Sequence, residues 1–212
     1  ASPGVKTDGV DLEAMTRAII GGYGDDPRPF PDLYAKWQLI NRAREDAVDS
    51  RKRLKQRCQE RLHAFMPGYP ALFRNIWKEP APLAIAELYG SAKRLLSADV
   101  ESIRERLREK RIRIMRPTIN RVLAWAADAP TPDPGGALNR RIWNNNLRLI
   151  EHFSRDITRY ERRLVGYLVQ TPYVLLLSVP GINVVSASGY GSEVGPITNY
   201  ITSSHINGRA GL

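Results

Sequence analysis

A chain of 212 residues with 32 Lys and Arg against 22 Asp and Glu carries a formal net charge of +10, an excess that points to a polyanionic partner, nucleic acid before an anionic membrane surface. Hydrophobic residues at 42% and charged residues at 25% are ordinary for a globular protein, and the length allows one or two domains around a real core. Cys58 is the single cysteine, which excludes an internal disulfide or a cysteine metal cluster and suits a reduced cytosol; no apolar run reaches the ~18 residues of a membrane span.

The first predicted element is a helix over 5–20. Thr7 is placed to cap it, Asp8 falls in its first turn, and Val10, Ala14, Met15 and Ala18 give it an apolar face. The Gly/Pro-rich stretch 21–31 breaks it. Residues 32–66 read as one long helix. Leu33, Ile40, Ala47 and Leu54 recur every seven residues, and Trp37, Cys58 and Phe65 lie on the matching half-heptad stripe, which Arg44 and Arg51 interrupt. Pro67-Gly68 ends the helix. Shorter helices are predicted at 71–77, 81–89, 99–113 and 117–127, separated by Pro80, Pro82, Gly90 and Pro117. After a second Pro/Gly breaker at 130–136, a long helix covers 138–170, with Leu138, Ile142, Leu149, Phe153, Ile157, Tyr160, Leu164 and Leu168 as its apolar positions. The expected fold class is therefore mainly α. It is a long antiparallel, coiled-coil-like helical hairpin with short helices at its tip, followed by a helix-hairpin-helix domain. The corresponding domain boundaries are 1–31, 32–170 and 171–212.

Positive charge concentrates on three segments: 42–61, 104–116 and the last long helix. Arg outnumbers Lys, and Arg grips phosphate with a planar two-pronged donor set where Lys offers a point charge. The candidate phosphate contacts are Arg51, Lys52, Arg53 and Lys55 on the first segment, Arg108 and Arg111 on the second, and Arg155 on the third. A solvated face of i,i+4 ion pairs is the alternative, but each segment holds too few acids to pair every Arg. Trp125, Trp143 and Tyr160 are stacking candidates whose simpler role is core packing.

The run Leu175–Ser178 leads into Val179-Pro180-Gly181-Ile182-Asn183, and a second apolar helix follows. Pro-Gly-hydrophobe between two helical stretches is a helix-hairpin-helix pattern. Gly181 supplies positive φ at the corner, and the start of the next helix offers backbone N–H groups to a phosphate. Gly181, Ile182 and Asn183 are the candidate backbone-gripping residues. Asn183 stands where the motif usually has glycine, and Asn tolerates left-handed geometry.

Two motifs lie at opposite ends of the helical segment: Lys6-Thr7-Asp8-Gly9-Val10-Asp11, and Val179-Pro180-Gly181-Ile182 with Glu193-Val194-Gly195 and Ala210-Gly211-Leu212. In this order they resemble a family of insertion-sequence transposases that have a DEDD-type, RNase H-like catalytic domain, then a coiled coil, then a C-terminal domain bearing a serine. Some members are guided by a bridge RNA. The resemblance implies a DNA recombinase that, when intact, cuts and rejoins strands through a phosphoserine-type intermediate. It implies Asp8 and Asp11 as catalytic carboxylates holding Mg²⁺, DNA and a guide RNA as partners, and a homodimer or higher homo-oligomer. The family's first Asp, its Glu and its serine have no counterpart within these 212 residues, so the resemblance implies an internal portion, incomplete for chemistry. The competing reading is a non-catalytic helix-hairpin-helix module that binds nucleic acid.

Overall fold

The computed structural model describes Thr16 and residues 31–200. Apart from Thr16 and Pro31, the predicted N-terminal helix and linker lie outside the described residues, as does 201–212. Among the described residues all regular structure is helical, as the composition and 3.6-residue periodicity require. The α-helices are α1 (Asp32–Phe65), α2 (Pro80–Leu88), α3 (Ala92–Leu96), α4 (Val100–Glu109), α5 (Arg116–Ala127), α6 (Gly136–Leu168) and α7 (Val184–Val194). Short 3-10 segments stand at Tyr69–Leu72, Pro172–Ser178 and Ile197–Asn199. The chain forms two compact units, residues 40–166 and residues 1–39 with 167–212.

In the 40–166 unit, α1 and α6 form the expected antiparallel hairpin. Arg44 meets Glu161, Arg51 meets Ser154 and Arg61 meets Asn139, so each step up α1 is matched by a step down α6. Ala47, Cys58, Leu62 and Phe65 bury one seam, and Trp143, Ile150, Ile157 and Leu164 bury the other. Arg44 and Arg51 occupy the heptad stripe after all. Arg44 donates through Nε and Nη2 to Glu161 (3.0 and 2.9 Å), and Arg51 donates to Ser154 Oγ at 3.4 Å. The interruptions in the apolar pattern are polar pairings across the seam.

The α6 face buries Ile157, Leu164 and Leu168 as expected but departs from the sequence reading nearer its start. Leu138 and Leu149 are exposed, while Trp143 and Ile150 are buried. Two apolar stripes run along this helix, and the one that α1 and the tip helices cover is the buried one.

The tip is built on proline and capping chemistry. Gly68 turns out of α1 with φ +77°, and Trp125 Nε1 donates to Pro67 O at 3.0 Å. Pro80 opens α2 rather than separating two helices, because the first helical N–H needs no partner. Ser91 and Asp99 cap α3 and α4 by accepting from Arg94 N and Ser102 N. The expected helix over 71–77 is instead a 3-10 turn ending at Leu72, and α3 is an element the proline pattern did not separate. Tyr69, Ile85, Leu95, Ile103, Leu107 and Ile119 are fully or almost fully buried here. Each such side chain contributes about 1.5–3 kcal/mol on burial, against about 0–1 kcal/mol for a surface ion pair. Apolar packing, not the abundant charge, therefore holds the tip together.

In the other unit, Trp37 is fully buried, with Tyr34 5.9 Å and Tyr173 6.1 Å away between ring centres. Gly191 of α7 lies beneath them: a Cβ there would stand 2.6 Å from the Trp37 ring and 2.8 Å from that of Tyr173. Tyr173 also donates its hydroxyl to Gly195 O at 2.8 Å, and Gln38 donates to Glu193 at 2.8 Å. These contacts fix the hairpin Pro172–Val194 as a unit.

Candidate nucleic-acid interface

The corner at Gly181 is exposed and positioned from both sides. Its first limb, Pro172–Ser178, is a 3-10 segment where the sequence suggested α-helix; Pro172 stands in its first turn. Val179 N donates to Leu176 O and Ile182 N to Val179 O, each at 3.1 Å, which closes the turn. Gly181 has φ +90°, and a Cβ added to it would meet no atom within 4 Å. Backbone geometry rather than crowding therefore selects glycine there.

Asn183 corrects one expectation. Its φ is −109°, so the position needs no left-handed tolerance. It acts as the N-cap of α7, accepting from Ser186 N at 3.0 Å through its side-chain oxygen. That uses one N–H at the helix start. Among the described residues, no partner receives the N–H groups of Asn183, Val184 and Val185. Ile182 is half-buried, while Gly181 and Asn183 are exposed. The predicted trio thus forms one surface feature that presents backbone donors at a helix N-terminus, the electropositive end of its dipole.

The basic residues divide by their surroundings. Lys52 and Arg53 are exposed, Arg51 is half-buried against Ser154, and Lys55 places its ammonium 5.2 Å from the centre of the Trp77 ring. Burial, and secondarily Arg51, lowers the Lys55 pKa. Arg51, Lys52 and Lys55 share one groove with Gln56, Gln59 and Trp77, whereas Arg53 lies outside its lining. Trp77 and the two glutamines were not singled out from the sequence. The glutamines sit four and eight residues beyond Lys52 and Arg51, but only the fold brings Trp77 to them.

On the second basic segment, Arg108 and Arg111 are exposed and have no carboxylate within ion-pair distance among the described residues. Arg111 has φ +60°. Ile112 N donates to Leu107 O and Arg111 N to Arg108 O, the paired bonds of a Schellman C-cap with arginine at the position usually given to glycine. Several of the other cations are neutralised. Lys110 pairs with Glu87, Arg159 with Asp156, and Arg104 with Glu101 at 3.8 Å. Arg155 is exposed on α6 and carries no such pair among the described residues. Trp143 is fully buried and Trp125 is tied to Pro67, so both are packing residues, not stacking platforms.

Asp8 and Asp11 lie outside the described residues. Among those described, no group of three or more His, Cys, Asp or Glu is arranged to hold a metal ion, and no helix is long and apolar enough to cross a membrane. Fold and surface together define a basic, mainly α protein with a helical hairpin and an exposed glycine corner. No family model, curated protein or solved structure matches the chain.

Proposed function

We propose that this protein binds nucleic acid through its basic helical surfaces and its glycine corner, as part of an insertion-sequence DNA transposase or recombinase. The observation that carries the binding reading is the exposed corner Pro180–Asn183, where a positive-φ glycine and open N–H groups at the start of α7 face solvent. Such a corner grips a phosphate without reading a base. Arginines without an acidic partner on α1, α4 and α6 add the sequence-independent attraction that a polyanion needs.

The transposase part of the reading rests on the order of the sequence motifs. In it, Asp8 and Asp11 would supply oxygen ligands for Mg²⁺, whose chemistry when bound would be to polarise a phosphodiester, and the partners are DNA and a guide RNA. Conversion of Asp11 to Asn in the intact protein then abolishes strand transfer, read by product formation on a donor DNA.

The binding reading is tested by Gly181→Val. A Cβ meets no neighbour there, so the change strains the corner and leaves the core alone. Affinity for duplex DNA and structured RNA, measured across several salt concentrations, falls while helical circular dichroism is retained. Equal affinity for wild type and variant at every salt concentration refutes the role of the corner.

A further inference from the structure

The groove on α1 has a composition that phosphate binding alone does not require. Arg51, Lys52, Lys55, Gln56 and Gln59 occupy one helical face over about two turns, and Trp77 closes the far wall. The volume is about 360 Å³, in the range of pockets for small ligands and too small to admit a duplex. Its lining holds three cations and no carboxylate. Trp77 packs partly against the tip core and meets the Lys55 ammonium 5.2 Å from its ring centre. Its backbone N–H is fixed on Asn75 Oδ1 at 2.9 Å, which holds the residue in place.

Resting on the nucleic-acid reading, we propose that this groove is a subsite for one unpaired nucleotide, with its phosphate against Arg51, Lys52 and Lys55 and its base on Trp77. Lys55 exchanges its contact with the indole for the phosphate, which uncovers the ring for stacking. The amides of Gln56 and Gln59, each both donor and acceptor, meet the base edge. A duplex buries its base faces in the stack and its Watson–Crick edges in pairing, so the subsite selects loops, bulges and single strands. An acidic peptide satisfies the cations but leaves the indole and the amides without a matching planar partner.

The test compares binding of a stem-loop RNA with binding of a blunt duplex of the same stem. The proteins are wild type, Trp77→Ala, Trp77→Phe and the Gln56→Ala/Gln59→Ala pair. Wild type prefers the loop. Trp77→Ala weakens loop binding about tenfold and leaves duplex binding unchanged, while Trp77→Phe retains most of the preference. Irradiation with a 5-iodouracil-substituted loop places the cross-link on Trp77. Should Trp77→Ala lose its helical circular dichroism, the glutamine pair, exposed and outside the core, decides: it reduces the loop preference. Loop binding insensitive to both Trp77→Ala and the glutamine pair, or loop and duplex binding falling in parallel, overturns the subsite while leaving general nucleic-acid binding intact. Displacement of the loop by an acidic peptide as readily as by RNA overturns it in favour of a peptide site. Binding to neither RNA overturns both readings.

Discussion

Gly191 and Arg111 are opposite cases of a residue fitted to its backbone. Gly191 is required by packing, because two aromatic rings occupy the space a side chain would fill. Gly191→Ala forces Trp37 or Tyr173 to move and costs about 1–3 kcal/mol, measurable as a lowered urea midpoint with an unchanged m-value. Arg111 occupies a left-handed cap where glycine is unstrained. Arg111→Gly is expected to raise stability by roughly 0.5–1 kcal/mol, the left-handed penalty less the entropy glycine loses, and to weaken nucleic-acid binding at low salt. A variant both less stable and equally tight in binding would show that the strained arginine serves packing, not charge. Neither feature was legible in the sequence: a glycine in an apolar helix and an arginine in a basic run carry no mark of their φ or of their neighbours.

At the scale of elements, α1 and α6 depend on polar pairs placed within an apolar seam. The heptad pattern gave the length of both helices and their pairing, but it treated Arg44 and Arg51 as breaks. They are seam residues whose partners, Glu161 and Ser154, lie more than a hundred positions away. The Arg44 side chain is 17% exposed and that of Glu161 39%, so loss of one partner strands a partly buried charge. Glu161→Leu is expected to cost about 1–3 kcal/mol. In a double-mutant cycle, Arg44→Leu combined with Glu161→Leu recovers much of that loss, because no unpaired charge remains. Purely additive losses in urea denaturation would show that the pair does not couple. The choice between the two apolar stripes of α6 was likewise open until α1 and the tip helices covered one of them.

For the whole molecule, charge and burial act in different pH ranges. Burial pushes the Cys58 thiol up to about 11, despite opposing contributions from Arg61 and a hydrogen bond with Asn146. Burial also raises the pKa of Tyr69 and Tyr173. In each case the folded state holds its proton more tightly than the unfolded chain. The stability contributed by Cys58 is therefore complete below the thiol's ordinary value near 9.0 and is lost as the pH rises towards about 11, with the tyrosines extending the loss upward. Urea unfolding between about pH 8 and about pH 11 is expected to show this fall, and Cys58→Ala to flatten its first part. A thiol that reacts rapidly with an alkylating reagent in the folded protein at about pH 8 would contradict the buried, protonated state.

The sequence alone determined the class of fold, the two long helices, the proline and glycine breaks between the short ones, and the concentration of arginine, because periodicity, punctuation and charge are local properties. The glycine corner was also legible, since Pro-Gly followed by an apolar helix start is a local signal, although the N-cap geometry of Asn183 was not. Tertiary structure decided which stripe of α6 is buried, which arginines are spent on partners, and that Trp77 stands across from Lys55. Those outcomes depend on contacts between residues remote in the chain, which no local pattern specifies.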